Sequence, residues 1–137
     1  VDKAQTDLPP WKDAILDGFM SEIGPLLTRR DGDSRRFGLM AEDRHLNPNG
    51  TVHGGVFMTL LDHSLAFLAW QAAGKVPTVT VQMDTRFLDS AHAGEFLETT
   101  AKIVKESRSL IFLDAQVLCA DRVMAQASAV MKVARKT

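Results

Sequence analysis

The stretch LNPNGTVHGGVFMTLLDHSLAFLAW, Leu46 to Trp70, decides how this chain is read. Asn47, Pro48, Asn49 and Gly50 are turn formers. Behind them a helix is expected from about Gly54 to Trp70 or Ala73, where Gly74 stops it. Val56, Phe57, Met58, Leu60, Leu61, Leu65, Phe67, Leu68 and Trp70 leave that helix no wide polar face. A helix apolar nearly all round is buried all round. A sheet that curls about it, with a second subunit covering what remains, meets that demand. Asp62 and His63, near its middle, then need a separate reason, because an isolated buried charge is costly.

Downstream of Gly74 the period changes to two. Val79, Val81, Met83 and Thr85 alternate with Thr80, Gln82, Asp84 and Arg86, which is the pattern of a half-buried strand. Further strands are expected over Glu95 to Glu106, Leu110 to Ala120 and Arg122 to Val133, the last two joined by a tight Ala-Asp turn. Upstream, Trp11, Ile15, Phe19 and Ile23 recur at helical spacing and predict an amphipathic helix ending near Gly24-Pro25. A charged loop (Thr28 to Arg36) and a short strand (Arg36 to Ala41) follow. The sum is an α+β chain, a helix laid on a largely antiparallel sheet of about five strands.

With 137 residues, 45% of them hydrophobic and 24% charged, the chain suits one globular domain. Its 16 basic and 17 acidic residues leave no net field. That argues against a nucleic-acid or membrane-surface partner, whose attraction rests on excess Lys and Arg. Arg29-Arg30 and Arg35-Arg36 are local exceptions, expected as solvated loop charges. The apolar run Val56 to Trp70 is too short for a bilayer span and contains Asp62 and His63. Cys119 is the single cysteine, so no intrachain disulfide forms. With no signal-peptide pattern at the start, a cytoplasmic protein is expected.

The chemistry gathers at the start of the long helix. Its first N–H groups lack intrahelical partners, and the helix dipole adds partial positive charge there. Without side chains on Gly54 and Gly55, a ligand carbonyl can come close to those amides, which makes an oxyanion site. The plainer alternative is that the two glycines only permit a tight turn. Asp62 lies eight residues beyond Gly54, about 12 Å along the axis at helical rise. Either the two features are unrelated, or Asp62 works with oxyanion donors from another chain. A two-fold dimer pairing two such helices antiparallel would create two composite sites.

The remaining candidates are weaker. His45, His53, His63 and His92 show no metal-binding spacing, so no metal is expected. His53 either bonds its own turn or fixes the loop that presents Gly54. Cys119, in an apolar strand, suits the core better than a nucleophile's role.

The run NPNGTVHGG, the apolar helix with Asp62, and TVTVQMDTRFLDSA together closely resemble the hotdog-fold acyl-CoA thioesterases of the phenylacetate-pathway (PaaI-like) group. The similarity covers about Arg36 to Val133. Its most specific part is Asn-x-x-Gly-x-x-His-Gly-Gly, with Asp eight residues after the first of the paired glycines. The resemblance implies a hotdog fold over the whole of 1–137, with an extra N-terminal helix and loop (1–34) and the hotdog core at 35–135. It also implies a homodimer, usually a dimer of dimers, with active sites at the dimer interface. Carried over by position, Gly54 donates its N–H to the thioester oxygen and Asp62 of the other subunit is base or nucleophile. Asn47 and His53 orient substrate and loop, and Thr80 supplies a hydroxyl that positions water. Gly55 lies beside the substrate, while Ser107, Arg108 and Ser109 of KESRSL are phosphate-contact candidates for the coenzyme A nucleotide, or else a polar hairpin turn.

The implied reaction is hydrolysis of a small, medium-chain or aryl acyl-CoA to the free acid and CoA. No cofactor is expected, since CoA belongs to the substrate. Asp84 stands where the family often has Asn, FLDSA lacks the usual proline, and bulky Phe67 and Trp70 follow Asp62, which bears on acyl preference. Two alternatives remain open: a hotdog dehydratase or hydratase using His53 with Asp62, and a non-catalytic acyl-CoA binding protein.

Overall fold

Alternating side chains after Gly74 and the apolar helix before it assemble as their patterns demand, in a computed structural model that describes residues 8–134. In chain order the elements are β1 (Lys12–Ala14), a short helix (Phe19–Ile23), β2 (Leu26–Asp31), β3 (Ser34–Met40), a 3-10 turn (Asp43–His45), the central helix (Gly54–Ala72), β4 (Thr78–Phe87), β5 (Phe96–Glu106), β6 (Leu110–Cys119) and β7 (Arg122–Val133). All neighbouring strands run antiparallel, in the order β1-β2-β3-β5-β6-β7-β4. The central helix carries the chain from β3 across the sheet to its far edge, where β4 pairs with β7. This is the hotdog arrangement, a long helix held by a curved antiparallel sheet.

The sheet has seven strands, more than the five or so expected, because residues read as helix and loop are extended. The extra N-terminal helix is present but short, Phe19–Ile23. Lys12–Ala14, placed in that helix by spacing alone, pair instead with Leu26–Thr28. A tertiary contact overrides the helical pattern here: the Trp11 ring meets the edge of Phe96 at 5.2 Å, and the Arg29 guanidinium lies 5.0 Å over Trp11. Residues 28–36, expected as a charged loop, form a hairpin turning at Gly32, whose φ is 63°. Its charges pair across strands, with Arg36 at 2.9 Å from Asp31 and 3.2 Å from Glu98 on β5.

One face of the central helix is buried: Val56, Phe57, Leu60, Leu61, Ser64, Leu65, Leu68 and Ala69. They pack on Leu39, Leu97, Leu113, Val117, Met124 and Met131 of the sheet. Each such buried aliphatic side chain contributes roughly 2 kcal/mol. Ser64, the polar member, is satisfied inside this core. Thr99 Oγ1 donates to Ser64 Oγ at 3.0 Å and accepts the Phe37 N–H at 3.1 Å. The opposite face, with Met58, Asp62, His63, Ala66, Phe67 and Trp70, keeps solvent access. The sheet therefore covers one side of the helix, and the apolar residues on its other side are only partly covered within the chain. No helix among the described residues is long and apolar enough to cross a membrane.

Candidate active site

The turn ahead of the central helix organises itself. Asn47 Oδ1 accepts the N–H groups of Asn49 and Thr51 at 2.9 and 3.1 Å, and its Nδ2 donates to Thr51 Oγ1 at 2.9 Å. Such Asx bonding folds the chain back on itself. Asn47 thus spends its side-chain amide within residues 47–51, folding that turn.

His53 is the N-cap of the helix. Its Nδ1 accepts the Gly55 N–H at 2.8 Å, and its carbonyl accepts the Val56 N–H at 2.9 Å. Among the described residues this leaves the Gly54 N–H without a partner. A Cβ on Gly55 would sit 3.0 Å from His53 Nδ1, so the missing side chain lets the imidazole fold over that amide. A Cβ on Gly54 would meet Phe87 Cε1 at 3.2 Å. Phe87 therefore walls the amide site. Sequence reasoning missed it, because only the placement of β4 beside the helix N-terminus brings it there.

Two turns further on, Asp62 is half-buried on the uncovered helix face. Thr80 Oγ1, on edge strand β4, donates to Asp62 Oδ1 at 2.7 Å and also reaches Met131 Sδ at 3.2 Å. The acid and the hydroxyl are brought together. Beside them His63 packs its ring edge-to-face on Phe37 at 4.5 Å, and Phe37 continues to Phe67 at 5.8 Å. Burial pushes the His63 imidazole below its ordinary value, against the opposing attraction of Asp62. His63 is thus biased toward its neutral form.

The outer candidates lie apart. Ser107 Oγ donates to the Leu110 carbonyl at 3.1 Å and accepts the Leu110 N–H at 3.2 Å, which commits it to the β5–β6 turn. Arg108 and Ser109 line a depression with Val79, Lys132, Val133 and Ala134. Lys132 pairs across strands with Val79, the neighbour of Thr80. No three His, Cys, Asp or Glu side chains among the described residues are grouped as metal ligands.

This geometry offers a carboxylate held at a strand edge and a spare amide at a glycine helix start, the parts of a hydrolytic site. The family model that matches residues 49–126, which contain both, is the Thioesterase superfamily. The chain belongs to that superfamily. A Pseudomonas aeruginosa protein named "Putative esterase" is 31% identical over 110 residues, covering 79% of this chain and 82% of that relative. Mouse acyl-coenzyme A thioesterase 13 is 35% identical over 75 residues, covering 54% of this chain and 53% of the mouse protein. The solved PaaI protein of the Escherichia coli phenylacetic acid degradation operon shares the fold with a TM-score of 0.77 at 18% identity, over 88% of this chain and 87% of that one. This thioesterase thus has the hotdog fold, which it shares with that PaaI protein, and its superfamily supports thioester hydrolysis.

Proposed function

We propose that this thioesterase hydrolyses an acyl-coenzyme A, with a small, medium-chain or aryl acyl group, in composite sites shared by two copies of the chain. The observation that carries the reading is the Asp62 carboxylate, held by Thr80 at 2.7 Å on the uncovered face of a helix whose N-terminus has a spare amide. Helical rise separates the two by about 12 Å, too far for one carbonyl. A two-fold that sets two such helices antiparallel brings each Asp62 to Gly54 of the partner subunit. The surface for that pairing is at hand. β4 is a sheet edge with Val79 60% and Val81 59% exposed, and an unpaired apolar edge invites another strand. The same pairing would cover Met58, Ala66, Phe67 and Trp70.

In this reading Asp62 works as general base or as nucleophile. As base it takes a proton from water, whose oxygen attacks the thioester carbon. Negative charge gathers on the carbonyl oxygen, which faces the N–H of Gly54 of the partner subunit. On collapse the C–S bond breaks, its electron pair leaves on sulfur, and the proton held by Asp62 passes to the thiolate. As nucleophile, Asp62 attacks the carbon itself, the C–S bond breaks with its electron pair leaving on the thiolate, and water cleaves the resulting anhydride, giving up its proton to the thiolate. Oxygen-18 recovered in Asp62 after a single turnover in labelled water assigns the second route. Asn47 and His53 hold the turn, and Gly55 keeps the approach to the amides clear. Arg108 and Ser109, presented by the Ser107 turn, take the nucleotide phosphates.

The mouse relative's name supports coenzyme A as the thiol carrier. A hydratase pairing of His53 with Asp62 would have to run through Nε2, since Nδ1 of that histidine accepts the Gly55 N–H at 2.8 Å. The reading includes a cytoplasmic homodimer, further paired as a dimer of dimers, with no nucleic acid or membrane partner and no cofactor.

The test is thiol release across short-chain, medium-chain and aryl acyl-CoAs, wild type beside Asp62→Asn. The variant should keep its circular dichroism and lose about a thousandfold or more in turnover. Undiminished release by Asp62→Asn would overturn the role given to that residue.

A further inference from the structure

His45 ends the 3-10 turn with only 3% of its surface exposed. A buried imidazole needs hydrogen-bond partners, and both of its nitrogens have one. Nδ1 accepts the Glu42 N–H at 3.0 Å. The ring proton therefore sits on Nε2, which donates to the Ile23 carbonyl at 2.7 Å. Ile23 closes the short N-terminal helix, where the last carbonyls lack partners of their own. The ring thus ties that helix to the 3-10 turn.

The backbone of the same residue reaches the catalytic turn. The His45 carbonyl accepts the His53 N–H at 2.8 Å. That bond begins a small ladder, continued by the Leu46–Val52 bridge and by the Asn47 N–H to the Thr51 carbonyl at 2.7 Å. Past His53 the next amide along the chain is that of Gly54. One buried side chain, pinned at both ends, therefore fixes the carbonyl from which the start of the central helix hangs.

We propose that His45 is a positioning residue that aims the Gly54 amide. Its catalytic consequence rests on the reading of Gly54 as oxyanion donor; its structural consequence does not. Arg44 supplies the control. Its guanidinium grips the carbonyls of Glu22, Ile23 and Gly24, yet among the described residues Arg44 adds no rung to the ladder that ends at His53. Loosening the N-terminal helix through Arg44 leaves the aim of Gly54 intact.

The experiment compares wild type, His45→Ala, His45→Gln and Arg44→Ala in the full chain. It uses phenylacetyl-CoA and hexanoyl-CoA for kinetics, and amide NMR spectra for the Gly54 and Gly55 resonances. His45→Ala should lower kcat about tenfold with KM nearly unchanged, because an oxyanion donor acts in the transition state, and should displace the Gly54 resonance. His45→Gln, which carries an N–H near the place of Nε2, should recover most of both. Arg44→Ala should melt earlier with kcat and the Gly54 resonance in place. If His45→Ala does not fold, His45→Asn replaces it with the same expectation, since it loses the reach to Ile23. An unmoved Gly54 resonance with normal kcat, or an equal kcat loss in Arg44→Ala, overturns the proposal. A wild type silent on both thioesters would count against the acyl-CoA reading, while the amide resonances would still decide the role of His45.

Discussion

The Thr80 hydroxyl donates to Asp62 Oδ1 at 2.7 Å, joining the edge strand of the sheet to the acid of the central helix. A hydrogen bond to a charged acceptor is worth about 1.5–3 kcal/mol, enough to hold one carboxylate orientation. Thr80→Val keeps the shape and removes the donor. It should reduce kcat about tenfold, with Thr80→Ser close to wild type. Equal kcat in Thr80→Val and wild type would mean that the hydroxyl is a packing feature only.

The composite site can be tested by mixing. Proline at the first helical position removes one N–H and is tolerated there. His53, at φ −61° and ψ 136°, already has the extended conformation that a following proline requires. Gly54→Pro should therefore fold, the exposed Phe87 ring shifting from the added Cβ, and lose about a hundredfold in kcat. Dimers of Gly54→Pro with Asp62→Asn then contain one site with both groups native. Refolding the two inactive variants together in equal amounts should restore activity toward about a quarter of the wild-type value, since half of the dimers are mixed and each has one working site of two, whereas sites built within single chains would stay inactive in the mixture.

His63 sets a pH dependence of stability. Burial lowers its folded value below the ordinary 6.5, so at mildly acidic pH the unfolded chain binds the proton more readily. The stability it contributes is complete above about 6.5 and is lost as pH falls through the depressed folded value. Thermal midpoints measured from pH 8 down to 5 should decline more steeply for wild type than for His63→Phe. Parallel curves would assign the acid limb to other groups.

Gly38 on β3 lies under the Phe96 ring, where an added Cβ would stand 2.3 Å from Cζ. Gly38→Ala should destabilise the chain by about 1–3 kcal/mol through overpacking. Adding Phe96→Leu should recover part of that loss, a coupling read from a double-mutant cycle in urea. Additive effects would show that the ring moves aside freely.

Much of the candidate site was legible as spacing. Asn47, His53, Gly54 and Asp62 lie on one turn and one helix, so their relation follows from local geometry, and even the 12 Å gap was readable from helical rise. Phe87 and His45 were not. Phe87 meets Gly54 only because β4 returns along the helix, and His45 gains its role from a carbonyl 22 residues away.

The sequence by itself determined the central helix, nearly to its ends, and the four long strands after it, because periods of 3.6 and 2 are written in the chain wherever burial is one-sided or complete. It determined as well that an acid lies eight residues into an apolar helix behind paired glycines. Only the tertiary structure decided the state of Trp11 to Arg36. There the residues at helical spacing are few, and the contact of Trp11 with Phe96 and the charge pairs of Arg36 outweigh weak local preference. The tertiary structure also decided which face of the central helix stays uncovered. The sheet buries one side of that helix, and Asp62 lies on the other beside the open edge of β4.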